Sequence, residues 1–399
     1  MKRPKKSQKQ NELIEDIEAQ LDSAGNETEE DLKTSNFGAA VTWATDWTTE
    51  TVFLQLSRGV IELSPGFQRR DAWRPQRKSR FIESLILGLP IPQIVLAEKP
   101  KKGNFLVIDG KQRLLTINQF CSPSNGDDPM AGFKLEGLVA ESDLNGKTYE
   151  DLSKDPKFSD KIAALHSQTI RTVVIKNWPN EDFLYTVFLR LNSNSVALSP
   201  QELRKALHPG KFITFVENES GTSHQLLKLL RLTKPDFRMR DVEITVRYYA
   251  FHYFSKSYSG NLKQFLDETC QKLNSRWISE ERVIKGKMEL MNNAITVSET
   301  IFGAKNTFRK YSEDGYEPRL NRAVLDIFLY FFSIPTYAQK ALAKKKEVKE
   351  SFERLCLENT DFIRSLETST KSTDSVHCRF NTWGKRLSKV LDIQFKSVF

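Results

Sequence analysis

Apolar and polar positions change their rhythm twice along this chain. Up to about residue 35 the sequence is polar throughout, a Lys/Arg cluster followed by the acidic run Glu27-Thr28-Glu29-Glu30-Asp31. Such a stretch has too little to bury and reads as a disordered charged tail. From about Trp43 short apolar runs alternate with helical patterns. Thr51 to Leu56 predicts a helix, and "VIELSPGF" a strand ending in a Pro-Gly turn. Pro75 suits the first turn of a helix whose Phe81, Ile82, Leu85 and Ile86 share a face. Gly88 caps that helix, and Pro90 and Pro92 stop it continuing. "PQIVLAEK" predicts a second strand, Lys101 to Asn104 a hairpin turn, "NFLVID" a third strand, and Gln112 to Phe120 a helix. Val173 to Ile175 predict one strand more. The intervening "CSPSNGDDPMAGFKLEG" is rich in loop residues and is expected to carry a small hairpin.

After about residue 180 strand patterns almost vanish. "SPQELRKAL" has the grammar of a helix start, with Ser199 as N-cap, Pro200 first in the helix and Glu202 closing a capping box. "DVEITVRYYAFHYF", "NRAVLDIFLYFF" and "WGKRLSKVLDIQF" read as amphipathic or largely buried helices. The expected organisation is a tail over 1–35, an α/β domain over 36–180 and a helical domain over 181–399. The fold class is α/β (α+β) followed by a mostly α-helical part.

Composition narrows the chemistry modestly. No stretch of the 399 residues approaches the roughly 18 apolar residues of a membrane helix, and the basic start has no apolar core behind it, so a cytoplasmic protein is expected. Cys121, Cys270, Cys356 and Cys378 lie far apart with no CxxC spacing, as buried free thiols do. The five histidines form no HExxH or HxH spacing, and no GxSxG is present. A net charge of +9 leans towards polyanionic partners without specifying one.

The sharpest local signal is "VIDGKQRLLTINQF", residues 107–120, where a strand runs through Asp109-Gly110 into a helix beginning Lys111-Gln112-Arg113. A helix start offers backbone N–H groups and the positive end of the helix dipole, and Arg113 can grip phosphate oxygens with two parallel hydrogen bonds. Asp109 either holds a divalent cation or orients Arg113. The same residues also suit a charged turn with an Asp–Arg surface pair, and spacing alone does not choose. It is no Walker A loop, because Gln112 stands where Ser or Thr is required. In "PGFQRRDAWRPQRKSR", Arg77, Lys78 and Arg80 read as a solvated helix face and Trp73 as a packing residue. Gln68 and Arg69, between a strand and a helix, are placed to lie beside the Asp109 turn. Asn192 and Arg204 are polar residues on apolar helical patterns, expected at a domain interface.

Taken together, Phe67-Gln68-Arg69, Trp73, Gly88-Leu89-Pro90-Ile91-Pro92, Asp109-Gly110-Lys111-Gln112-Arg113 and Thr116 resemble the ParB-like N-terminal domain of GmrSD-type modification-dependent restriction endonucleases. The likeness extends through the later helices, over roughly residues 45–395. It implies a ParB/sulfiredoxin-like core with a nucleoside triphosphate and Mg²⁺ at the Asp109–Arg113 turn, acting on DNA in bacterial phage defence. By position, Gln68, Arg69, Gly110, Lys111 and Arg113 would bind the nucleotide. Arg69 and Arg113 would meet phosphates, Asp109 the metal or attacking water, and Gln112 would orient phosphate or water, so that Asp109, Gln112 and Arg113 carry catalysis. Lys111 departs from the family pattern, which has Gln there. The His-Asn-His nuclease domain of those enzymes has no counterpart within these residues, so scission is expected of a separate nuclease partner. The alternatives are a nucleotide- or DNA-binding switch without turnover, and a nuclease that uses the ParB-like site itself.

Overall fold

The computed structural model describes residues 40–63, 71–99, 103–124, 130–191, 199–368 and 370–399. The expected tail, Gln68, Arg69 and Asn192 lie outside the described residues, as does most of the expected 101–104 turn. The described chain falls into two compact units, one of residues 40–207 with 237–239, the other of 208–236 with 240–399. The first is mixed α/β with a small sheet, and the second is mostly helical.

In the α/β unit, four strands, β1 (Val41–Thr48), β2 (Ile94–Glu98), β3 (Phe105–Asp109) and β4 (Thr169–Lys176), form a sheet in the order β1-β4-β2-β3. β4 lies parallel to β2, and the other two pairings are antiparallel. The central β2 is buried on both faces, which explains its unbroken apolar run. Ile94 and Leu96 point into one core, packed against α1 (Thr49–Ser57), α2 (Pro75–Ile86) and α3 (Lys111–Cys121). Val95 and Ala97 point into the other, filled by Phe183, Leu184, Tyr185 and Phe188 of α6 (Glu181–Leu191) and by Leu203 of α7 (Pro200–Leu207). Helices α6 and α7 thus form the second cover of the sheet. Two further helices, α4 (Tyr149–Lys154) and α5 (Ser159–Ser167), lie between β3 and β4 in sequence.

Three local expectations need correction. "VIELSPGF" forms no strand among its described residues; Ile61 makes an isolated parallel bridge to Phe105. The loop after Cys121 carries no hairpin among its described residues, although Leu135 and Gly146 exchange backbone bonds with each other and Lys147. β1 escapes sequence reading because "VTWATDWT" is largely exposed and lacks apolar alternation, with Val41 52% and Trp43 56% exposed.

The helical unit comprises α8 (Lys211–Thr222), α9 (His224–Leu229), α10 (Arg240–Phe254), the 41-residue α11 (Leu262–Phe302), α12 (Arg322–Phe332), α13 (Pro335–Ala343), α14 (Lys345–Glu358), α15 (Thr360–Glu367) and α16 (Thr373–Leu391). Phe302, Phe328, Phe352 and Trp383 pack ring against ring at its centre. A two-residue hairpin, β5 (Tyr311–Ser312) with β6 (Gly315–Tyr316), is its strand content among the described residues. The four cysteines are free; Cys121, Cys270 and Cys356 are buried and Cys378 partly so.

Candidate nucleotide site

β3 ends at Asp109, and α3 begins two residues later. Gly110 makes that junction possible. Its φ of +96° belongs to the left-handed region, and a Cβ there would sit 3.0 Å from Ile94 Cγ1 and 3.3 Å from Arg113 Nη2. Opposite the turn, the register of β2 on β3 shifts between Val95 and Leu96, an irregularity of the kind that re-aims a strand end. No side chain caps α3. Its first N–H groups, with the dipole behind them, are therefore presented at the turn.

The side chains of the turn divide into two kinds. Arg113 Nη2 donates to Asp109 Oδ2 at 2.8 Å and to the Gln93 carbonyl at 2.9 Å. Gln93 directly follows the Pro90-Ile91-Pro92 stop of α2, so that stop supplies an acceptor to the turn. Gln112 is 9% exposed, yet its Oε1 has no hydrogen-bond partner, and neither has Arg113 Nε. Buried polar atoms without partners are uncommon and costly, so these two mark a place where something polar is to be received.

Lys111 points elsewhere. Its buried ammonium pairs with Glu202 at the start of α7. Glu202 also makes the expected capping box, Ser199 N–H donating to its Oε2 at 2.7 Å while its own N–H reaches Ser199 Oγ at 3.2 Å. One carboxylate therefore caps α7 and neutralises the cation at the start of α3. Arg204 is buried and donates to Gln201 Oε1 at 2.6 Å.

The helix face read as solvated is only partly so. Lys78 is 1% exposed, its ammonium bonded to Asp71 and, at 2.5 Å, to Gln119 Oε1 of α3. Asp71 Oδ1 also accepts the Trp73 N–H at 3.1 Å. This buried link fixes the start of α2 against α3. Arg77 and Arg80 are exposed as expected, but the Arg77 guanidinium lies 4.6 Å from the Trp73 ring centroid. Burial of that group and the neighbouring Arg113 charge lower its pKa. Two cations drawn together at the end of one helix and the start of another are a feature that sequence reading missed. Arg77 lies four residues after Trp73, the helical neighbour spacing, and that was the available signal.

Residues 49–209 match the family model described as the GmrSD restriction endonuclease, N-terminal domain. These residues carry a GmrSD N-terminal domain. No curated protein and no solved structure matches the chain. The GmrSD domain takes in the Asp109–Arg113 turn, all four helices and strands around it from α1 to β4, and also α6 and α7. Its end falls where the compact α/β unit ends, at residue 207. The chain thereby joins a restriction, phage-defence family.

Proposed function

We propose that the Asp109–Arg113 turn binds a nucleoside triphosphate and hydrolyses it, in the service of restriction of DNA. The observation that carries this reading is the uncapped start of α3 with the unpartnered, buried Gln112 Oε1 beside Arg113. Helix N–H groups and Arg113 suit phosphate oxygens, and Arg77 adds a second cation. Gln68 and Arg69 join the site by position in the motif. Gln112 is suited to orient a phosphate or a water. Lys111 contributes its backbone N–H, while its side chain braces the turn through Glu202.

A magnesium ion is compatible with this donor set. Asp109 spends Oδ2 on Arg113 and is 25% exposed at its side chain, which leaves Oδ1 available. Mg²⁺ typically takes one or two carboxylates together with substrate phosphates. Held by Asp109 and the nucleotide, it would supply charge neutralisation on the phosphates. The proposed partners are DNA, favoured by the +9 net charge, and a separate nuclease.

The test is phosphate release from each of the four NTPs with and without Mg²⁺, compared with Asp109→Ala and Arg113→Ala. Turnover lost in both variants supports the reading; wild-type turnover in both overturns the site. The Asp109–Arg113 pair also favours a second reading, a switch that a phosphate opens without being cleaved. Calorimetric NTP binding with no hydrolysis over hours selects it. Plasmid cleavage by the chain alone would select a nuclease instead.

A further inference from the structure

The helical unit contains a buried charge cluster that the proposed nucleotide chemistry does not use. Arg247 of α10 grips Asp326 of α12 with two bonds, Nε to Oδ1 at 2.9 Å and Nη2 to Oδ2 at 2.6 Å. Arg379 of α16 reaches the same Asp326 Oδ2 at a longer 3.3 Å, and its Nη1 donates to the Thr370 carbonyl at 2.5 Å. Its Nε has no partner although the residue is 1% exposed. The carboxylate is thus committed to Arg247, and Arg379 shares what is left. The consequences for the two guanidiniums are opposite. Burial works against the charge of both; Asp326 more than offsets this at Arg247 and raises its pKa, whereas Arg379 is lowered by burial despite Asp326, with the Arg247 charge adding to the fall.

Both arginines face a cleft with about 240 Å³ of empty space, lined also by Phe251, Tyr258, Leu262 and Lys371. That is below the roughly 300–1,000 Å³ of sites for drug-sized ligands, so an occupant is small. A structural ion-pair cluster needs no cleft and leaves no guanidinium nitrogen unpaired. We propose that this cleft is a second anion site, taking a small oxyanion of the phosphate or carboxylate class on Arg379 and Arg247. The oxyanion supplies the acceptor that Arg379 Nε lacks, and Lys371, partly exposed at the lining, adds charge to the entry.

The test is thermal unfolding of the full chain titrated with inorganic phosphate, acetate or chloride at matched ionic strength. Phosphate or acetate is expected to raise Tm progressively with concentration beyond the chloride effect, because a ligand that binds only the folded state stabilises it by mass action. Arg113→Ala should keep that rise, since the nucleotide turn is not its source. Arg379→Gln should abolish it. Lys371→Glu, which leaves the buried triad intact, should reduce it at least several-fold and decides the matter if Arg379→Gln does not fold. No rise beyond chloride overturns the proposal. So does a rise that disappears in Arg113→Ala and survives in Lys371→Glu. The preference between phosphate and acetate assigns the ligand class.

Discussion

Lys111 looks in sequence like a phosphate-binding lysine, and the structure gives it a different occupation whose strength can be measured. Its ammonium and the Glu202 carboxylate are 7% and 3% exposed at their side chains, so solvent screens the pair little. Removing one partner of such a pair strands a buried charge, a loss of about 3–5 kcal/mol, whereas replacing both by neutral groups of similar volume is often close to neutral. Glu202→Gln keeps an oxygen for the Ser199 N–H, so the capping box survives and the loss reports the ion pair alone. Lys111→Met keeps length without charge. Each single variant is expected to lose about 3 kcal/mol or more, and the double variant to recover most of it, with a coupling energy of at least about 2 kcal/mol. Because the chain has two compact units, a single global transition is an unsafe readout. Urea-dependent hydrogen exchange of peptides covering 111–121 and 199–207 reads the affected unit directly. Additive losses, or single-variant losses below about 1 kcal/mol, would refute the pairing. NTP binding abolished in Lys111→Met with exchange protection unchanged would return the ammonium to the phosphate.

Gly110→Ala forces an L side chain to a φ of +96° and sets its Cβ 3.0 Å from Ile94 Cγ1 in the buried β2. A loss of about 1–3 kcal/mol in urea melts, together with weakened NTP binding, is expected; a variant within 0.5 kcal/mol of wild type, taken as about the scatter of neutral substitutions, argues against the turn geometry. His252 of α10 is buried, accepts or donates at Ser333 Oγ over 2.7 Å, and stacks on Tyr330. Burial, reinforced by the Lys287 charge, drives its pKa down to about 3. The unfolded chain therefore binds a proton that the folded chain refuses between roughly pH 6.5 and 3, so stability rises with pH across that window. The slope attributable to His252 approaches about 1.4 kcal/mol per pH unit well inside it. Denaturation from pH 7 to pH 4 should show this component, and His252→Gln should remove it. Parallel profiles for the two proteins would show that the histidine titrates normally.

Much of this could be read from residue order because local rules and tertiary packing agreed. The periodicity of Phe81, Ile82, Leu85 and Ile86 is the buried face of α2, and Pro75 and Gly88 bound that helix as their backbone preferences require. β2 and β3 appear where their apolar runs lie, and the Ser199–Glu202 capping box is made. Reading failed where a strand or a charge owes its state to distant partners. β1 has no buried face of its own and exists through its ladder with β4, from Val41–Lys176 to Thr48–Thr169. Lys78 has the local context of a surface lysine, and only Asp71 and Gln119, the latter 41 positions away, make its burial tolerable.

The sequence by itself determined the elements and the Asp109–Arg113 motif, because turn chemistry, helix starts and apolar periods act over a few residues. The tertiary structure decided what the charges do. Lys111 and Glu202 are 91 positions apart, and Arg247 and Arg379 are brought to one aspartate by the packing of α10, α12 and α16. A charge costs most in low dielectric and is settled by whichever opposite charge folding places beside it. That placement is what left Gln112 Oε1 and Arg379 Nε buried without partners, one in each unit of the chain.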